Sequence, residues 1–128
     1  MSVFISPDSL CQIEIYVSEL KTSLEFYEKV FGWKKVPAYI HNLCVLDVNS
    51  SKVGVALVPS KLKAAQKSTF YFSVESSEII EAVISEAKSL TGRSSREEKT
   101  LPSFGRVSYV IDPDGHRIGL FVPENGAA

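Results

Sequence analysis

The chain has 128 residues, of which 45% are hydrophobic and 23% are charged, proportions typical of a single globular domain. Its 14 basic and 15 acidic residues give a net charge of −1, which argues against the basic stripe of a nucleic-acid-binding protein. No apolar run approaches the roughly 20 residues that span a bilayer. Two cysteines are too few for a disulfide framework. The first ten residues lack the basic and apolar regions of a secretory signal, so we expect a cytoplasmic protein.

The first half of the chain is predicted to form a strand, a helix and three further strands. Apolar residues at every second position from Ile13 to Val17 indicate a strand with one apolar face. From Leu20 the apolar spacing becomes helical, and Gly32 is suited to end that helix. The helix is predicted to be capped by Thr22, in a capping box, or by Ser18. The predicted strands cover residues 10–17, 33–39, 43–48 and 52–58.

The second half repeats this order. Alternation over 69–74 indicates a strand, and Ser76 or Ser77 can cap a following helix that Gly92 ends. The sequence Asp-Pro-Asp-Gly at 112–115 is a strong turn signal between the last two strands. The remaining strands of this half are predicted over 93–101, 106–111 and 116–122.

These elements predict an α+β fold made of two tandem βαβββ modules in a single domain. The modules cover about 8–59 and 68–123, with a polar linker over 60–67. Two such units side by side can curl into an open, cup-shaped mixed β-sheet with helices on the outer face. A ligand site would lie in the hollow of that cup. Alternation assigns twelve residues of four strands to the concave lining: Gln12, Glu14, Tyr16, Gly54, Ala56, Val58, Thr69, Tyr71, Ser73, Arg117, Gly119 and Phe121.

Two segments of the chain carry a family resemblance. The first is IEIYVSELKTSLEFYEKVFGW (13–33), with a Phe-Tyr pair and a Phe-Gly-Trp sequence. The second is FGRVSYVIDPDGHRIGLF (104–121), with its Asp-Pro-Asp-Gly hairpin. Both resemble the vicinal oxygen chelate superfamily, which includes glyoxalase I, bleomycin-resistance proteins and extradiol dioxygenases. The resemblance covers roughly residues 8–123 and implies the fold rather than a reaction, because one fold hosts many sites. The aromatic residues of the first segment are expected to belong to the core.

The resemblance also implies where a metal ion would bind. Metal-using members place their ligands on the first and last strands of each half. Those positions fall on Gln12, on or beside Ala56, on Thr69 and on Gly119. Alanine and glycine have no donor atom and threonine is a weak ligand, whereas divalent metals need several His or carboxylate donors. We therefore expect no metal and no other cofactor, which disfavours glyoxalase-type and ring-opening dioxygenase reactions.

Other reactive side chains offer no substitute for the missing ligands. His41 and His116 lie at predicted strand ends and are expected to be solvated or to cap turns. Cys11 is predicted to lie on the helix-facing side of the first strand as an inert buried thiol. Glu14 is the one carboxylate expected in the hollow. Three lysines of the linker are expected to form a solvated edge: Lys61, Lys63 and Lys67.

The concave lining mixes small residues, aromatic rings and hydrogen-bonding groups, as small-molecule pockets do. Glu14 beside Tyr16 and Tyr71 would suit a cationic or planar aromatic ligand. We therefore expect a metal-independent binder of a small organic ligand, contacted by ten of the lining residues: Gln12, Glu14, Tyr16, Ala56, Thr69, Tyr71, Ser73, Arg117, Gly119 and Phe121.

Two alternatives to a binding protein remain open. One is an enzyme of the same superfamily, of the lyase, isomerase or dioxygenase type, with Glu14 as acid–base or with unusual metal ligands. The other is a structural or regulatory dimer module without a ligand. The open sheet leaves strand edges and apolar surface that a two-fold partner can cover, so a homodimer is expected. Neither a nucleic acid nor a membrane is expected as a partner.

Overall fold

The described residues form eight strands and three helices, in the order expected for two βαβββ modules. The structure is a computed structural model that describes Ile5 and residues 9–36, 43–48, 53–91, 97–102 and 104–123. The strands are β1 (Gln12–Val17), β2 (Lys34–Lys35), β3 (Cys44–Asp47), β4 (Gly54–Pro59), β5 (Thr69–Ser73), β6 (Glu97–Leu101), β7 (Gly105–Ile111) and β8 (Arg117–Phe121). The helices are α1 (Leu20–Phe31), α2 (Lys61–Ala64) and α3 (Ser77–Thr91).

Each module forms one four-stranded mixed sheet, and the two sheets have equivalent strand orders. The first sheet has the order β1-β4-β3-β2 and the second the order β5-β8-β7-β6. β1 runs parallel to β4, which pairs Glu14 with Ala56, and β5 runs parallel to β8, which pairs Tyr71 with Gly119. The other neighbouring strands are antiparallel. The predicted α+β class and the open arrangement of mixed strands are confirmed, with the strands divided into two four-stranded sheets.

One hydrophobic core joins the two modules. In the first sheet Val17 and Leu57 are fully buried, and in the second Ile118 and Leu120 are 1% exposed. They belong to a single cluster that also contains apolar residues of α1 and α3. Each such side chain contributes about 1.5–3 kcal/mol by its burial. The prediction that the alternating apolar faces lie against the helices is therefore confirmed.

The aromatic residues at the end of α1 also belong to this core. Tyr27 is fully buried and Trp33 is 6% exposed, and their rings stack 5.4 Å apart at 4°. Phe31 stacks on Trp33 at 5.1 Å. Gly32, between them, has a positive φ of 74° and ends α1, as its sequence position predicts.

A buried polar contact ties the β7–β8 turn of the second module to α1 of the first. The Tyr27 hydroxyl donates to Asp112 Oδ2 over 2.6 Å. The other oxygen of Asp112 accepts the backbone N–H groups of Asp114 (2.9 Å) and His116 (2.8 Å). Burial raises the pKa of Asp112, although these hydrogen bonds oppose that effect. Burial and then the Asp112 charge raise the pKa of Tyr27 well above its ordinary value, so its hydroxyl stays a donor.

His116 makes a second connection between the modules. The residue is 1% exposed, so of the two predicted roles, solvated or turn-capping, the solvated one is wrong. Nδ1 accepts the backbone N–H of Ser68 over 3.0 Å, and Nε2 lies 2.7 Å from the carbonyl oxygen of Tyr16. Because a backbone N–H only donates and a carbonyl only accepts, these partners require a neutral ring protonated at Nε2. His116 is therefore buried as part of the junction between the modules.

Neither predicted cap is found at the start of α1. The N-cap residue is Glu19, which makes no side-chain capping bond, and Thr22 lies inside the helix. Asp114 from the β7–β8 turn lies at this helix end instead. Its Oδ2 accepts the Ser18 N–H over 3.1 Å and the Ser23 hydroxyl over 3.4 Å. A carboxylate is favourable there because the helix dipole is positive at the N-terminus.

Two further local predictions need correction. Cys11 precedes β1 and is exposed, because the alternation begins only at Gln12. Cys44 is buried, and burial raises the pKa of its thiol. The polar linker contains the helix α2, which begins after Ser60. The Ser60 hydroxyl caps it by accepting the Lys63 N–H over 3.3 Å.

Several predicted boundaries are only partly tested. Of the predicted strand 33–39 the described residues form β2 (Lys34–Lys35), and of the predicted strand 93–101 they form β6 (Glu97–Leu101). Residues 37–42, which include His41, and residues 92–96, which include Gly92, lie outside the described residues. Within the described part of the chain, no helix has the length and apolar character that crossing a membrane requires.

Candidate functional site

The open face of the first sheet, turned away from the helices, carries an exposed carboxylate. Gln12 and Glu14 are exposed there. The Tyr16 hydroxyl donates to Glu14 Oε1 over 3.3 Å, and the Lys63 ammonium lies 4.8 Å from the centre of the Tyr16 ring. Ala56, which pairs with Glu14 in the register, is fully buried. This face therefore offers an acceptor, a phenol ring and a nearby cation.

The open face of the second sheet carries five side chains linked by successive contacts, which we call the aromatic cluster: Tyr71, Phe104, Tyr109, Arg117 and Phe121. Phe104 stacks on Phe121 at 4.6 Å and lies 5.5 Å from Tyr71. The hydroxyls of Tyr71 and Tyr109 are 3.2 Å apart, and the Arg117 guanidinium lies 4.2 Å from the Tyr109 ring centre. Tyr71 is 40% and Phe104 36% exposed, so the cluster presents aromatic surface to solvent.

The predicted site residues thus fall into two groups. Glu14 contacts Tyr16 on the first sheet, whereas Tyr71 covers Gly119 on the second. Thr69 and Ser73 are exposed on the same strand as Tyr71. Among the described residues, Glu14 makes no hydrogen bond or ion pair with Tyr71. That all of these residues contact one ligand therefore stays a prediction.

Sequence reasoning omitted two members of the aromatic cluster. Tyr109 pairs with Gly119 in the β7–β8 register, so alternation along β7 would have placed it on the same face. Tyr109 lies on β7, which is neither the first nor the last strand of its module and so falls outside the lining predicted from those strands. Phe104 precedes β7, and no periodicity in the sequence indicates the direction of its side chain.

The residues at the family's ligand positions do not fit a divalent metal ion. Ala56 is fully buried and has no donor atom. A Cβ atom added at Gly119 would lie 2.6 Å from Tyr71 Cδ1, so an aromatic ring occupies the space where a ligand side chain would project. The described residues contain no group of three or more His, Cys, Asp and Glu that could hold a metal. Gln12 and Thr69 alone are too few and too weak as donors.

The contact between Tyr71 and Gly119 predicts a measurable coupling. An added Cβ would also lie 3.0 Å from Val107 Cγ1, so Gly119→Ala is expected to lower the free energy of unfolding by about 1–3 kcal/mol. In a Tyr71→Ala background most of this cost should disappear, because the closest atoms are gone. Urea denaturation of the four proteins of this double-mutant cycle measures the coupling. Equal costs in both backgrounds would show that Tyr71 does not cover Gly119.

The chain resembles known proteins in both sequence and structure. It is 28% identical over 132 residues to a lactoylglutathione lyase of rice (Oryza sativa subsp. japonica), an alignment that covers 90% of this chain and 44% of the rice protein. The chain therefore spans less than half the length of that relative.

Two solved structures share the fold. A lactoylglutathione lyase from Agrobacterium tumefaciens superposes with a TM-score of 0.67 at 15% identity, covering 91% of this chain and 94% of its own. A glyoxalase/bleomycin resistance protein from Catenulispora acidiphila superposes with a TM-score of 0.65 at 21% identity, covering 89% and 98%.

The family assignment rests on a match that covers most of the chain. The sequence model of the Glyoxalase/Bleomycin resistance protein/Dioxygenase superfamily matches residues 9–120, which include nearly all of both βαβββ modules. The strand orders, the two parallel pairs and the solved relatives agree with that match. The chain belongs to the glyoxalase/bleomycin resistance protein/dioxygenase superfamily.

Proposed function

We propose that this protein is a metal-independent binder of a small organic ligand on the open faces of its sheets. The observation that carries the proposal is the Tyr71 ring over Gly119, at the position where metal-using relatives would carry their last ligand. An aromatic side chain there replaces a metal donor with a surface for stacking. Ala56, fully buried and without a donor, supports the same conclusion.

The exposed groups on these faces suit a cationic or aromatic ligand. Tyr71 and Phe104 offer aromatic surface, on which planar rings stack and cations bind favourably. Glu14 is exposed, and among the described residues it accepts one long hydrogen bond, from the Tyr16 hydroxyl over 3.3 Å, so it can accept a further charged donor. The aromatic surface and the Glu14 carboxylate together favour a cationic or aromatic ligand.

A lyase is the main alternative, because the rice relative is named lactoylglutathione lyase. The donor set at Gln12, Ala56, Thr69 and Gly119 does not support the metal-dependent form of such an enzyme. Elemental analysis of the purified protein should therefore find no stoichiometric divalent metal. About one zinc, nickel or iron per chain, lost on mutation of Gln12 or Glu14, would overturn the proposal.

A thermal-shift screen of small cationic and aromatic compounds, followed by calorimetric titration of the hits, tests binding directly. Glu14→Gln should weaken cationic hits by about 1–3 kcal/mol, the value of a hydrogen bond to a charged group. Tyr71→Ala should weaken aromatic hits. Glu25→Gln is the matched control, because Glu25 is exposed on α1, on the other side of the sheet. Hits that neither Glu14→Gln nor Tyr71→Ala alters would place the ligand elsewhere.

The proposal includes a homodimer in the cytoplasm. Both cysteines are free, which suits a reducing compartment. Light scattering at micromolar concentration should give twice the mass of one chain. A complete absence of hits together with a dimeric mass would favour the alternative of a structural or regulatory module.

A further inference from the structure

A row of three residues crosses the second sheet: Tyr71, Gly119 and Tyr109. Gly119 on β8 pairs with Tyr71 on β5 and with Tyr109 on β7. Because neighbouring strands are about 4.8 Å apart, the backbones of the two tyrosines are separated by about 10 Å, with a residue that has no side chain between them. The glycine therefore leaves a gap between two aromatic side chains of the same face.

The Tyr71 ring fills this gap and reaches Tyr109. A Cβ atom added at Gly119 would lie 2.6 Å from Tyr71 Cδ1 and 2.9 Å from Tyr71 Cε1, so the ring lies directly against the glycine. The Tyr71 hydroxyl oxygen is 3.2 Å from the Tyr109 hydroxyl oxygen, within hydrogen-bond distance. The Tyr71 side chain is thus held along its ring by β8 and at its end by Tyr109.

Tyr109 is itself fixed in the sheet. It is fully buried, and the Arg117 guanidinium lies 4.2 Å from its ring centre, which is the geometry of a cation–π contact. Tyr71, in contrast, is 40% exposed. The hydroxyl contact therefore joins a buried side chain, which a ligand cannot touch, to the exposed ring on which the proposed ligand would stack.

We propose that Tyr109 is a positioning residue for aromatic ligands. Through its hydroxyl it holds the Tyr71 ring against Gly119 as a preformed stacking surface. This inference rests on the proposed function and deepens it. A side chain that is already ordered spares the ligand the entropic cost of immobilising it, which corresponds to about threefold to tenfold in affinity.

Stability alone does not test this role, because a ring that covers a glycine also stabilises a sheet without any ligand. The test therefore compares two uncharged probes, the flat aromatic 2-naphthol and its saturated analogue decahydro-2-naphthol. Titrations followed by NMR at the Tyr71 ring protons give the dissociation constant of each. Since only 2-naphthol can stack on the ring, the wild type should bind it more tightly than the saturated probe.

Tyr109→Phe removes only the buried hydroxyl. It should weaken the binding of 2-naphthol about threefold to tenfold and leave that of decahydro-2-naphthol unchanged, so the preference for the aromatic probe shrinks. Tyr71→Phe removes the other half of the same contact and should cause a similar loss. The double variant should lose no more than either single variant, because both changes delete one interaction.

Tyr27→Phe is the matched control. It also deletes a hydroxyl of a fully buried tyrosine, which donates to Asp112 at the junction of the modules. We expect it to lower the free energy of unfolding and to leave the affinity for both probes unchanged. Circular dichroism verifies that every variant keeps the fold.

Three results would overturn the inference and leave the proposed function standing. The first is 2-naphthol binding that Tyr71→Ala weakens and Tyr109→Phe does not. The second is a double variant in which the losses of Tyr71→Phe and Tyr109→Phe multiply, because Tyr109 would then act other than through the Tyr71 hydroxyl. The third is an equal loss for both probes in Tyr109→Phe. Failure of the wild type to bind 2-naphthol would also overturn the inference, and the thermal-shift screen would then decide the proposed function separately.

Discussion

Replacing Asp112 by alanine is expected to lower the free energy of unfolding by about 3–4 kcal/mol. The substitution removes the acceptor of three donors, the Tyr27 hydroxyl and the N–H groups of Asp114 and His116. Each buried donor left without a partner costs about 1–3 kcal/mol. The loss is also expected to weaken the attachment of the second module to α1. Urea denaturation followed by circular dichroism measures the effect.

Asp112→Asn is the matched control for this prediction. The amide oxygen can still accept both backbone N–H groups, and the Tyr27 hydroxyl can turn to accept from the amide nitrogen. The expected loss is about 1 kcal/mol, the ordinary value of one hydrogen bond. If alanine and asparagine destabilise the protein equally, the hydrogen bonds of Asp112 do not hold the modules together.

The difference in unfolding free energy between the wild type and Asp112→Asn is expected to depend on pH. Burial raises the pKa of Asp112 in the folded protein above its ordinary value of 3.8. The contribution of this group to stability is therefore fully present below that ordinary value and is lost as the pH rises through the raised pKa of the folded state. The stability of the wild type relative to Asp112→Asn should thus decrease as the pH rises above 3.8. A difference that is constant or that increases with pH would contradict this assignment.

Replacing His116 by alanine should lower the free energy of unfolding by about 2–4 kcal/mol. The change leaves the Ser68 N–H and the Tyr16 carbonyl without their ring partners and opens a cavity at a side chain that is 1% exposed. His116→Gln keeps a donor and an acceptor at a different spacing, so it should have an intermediate effect.

The protonation state of His116 can be observed directly. The two partners require the neutral ring with its proton on Nε2, and nitrogen NMR distinguishes the two ring nitrogens by their chemical shifts. We expect one protonated and one unprotonated nitrogen at neutral pH. A ring protonated at Nδ1, or an alanine variant as stable as the wild type, would refute the described junction.

Much of the fold could be predicted because it depends on local periodicity. Alternation in β1 and β5 and the helical spacing after Leu20 appear within a few residues of sequence, and each determines which face is buried. Gly32 and the Asp-Pro-Asp-Gly turn mark element ends by their backbone preferences. The repeated order of elements then predicts the two modules, which the equivalent strand orders confirm.

Local patterns failed where a residue's environment comes from distant parts of the chain. The sequence predicts a cap for α1 from residues next to the helix, whereas the carboxylate found there belongs to Asp114, 96 residues after Ser18. His116 follows a turn and has the sequence context of a solvated residue, yet contacts with the first module bury it. The predicted position of Cys11 is wrong because the residue at which an alternation begins depends on strand pairing rather than on composition.

In the candidate site, too, some features follow from the sequence alone and others depend on tertiary contacts. The sequence alone determined which residue types stand at the ligand positions of the family, and Ala56 and Gly119 lack a donor in any conformation. Only the tertiary structure decided that the Tyr71 ring covers Gly119 and that Tyr109 joins the aromatic cluster. Whether a side chain has a donor atom depends only on its residue type, so the sequence determines it at each position. Contacts and cavities arise between surfaces that meet only when both sheets and both long helices have packed around one core.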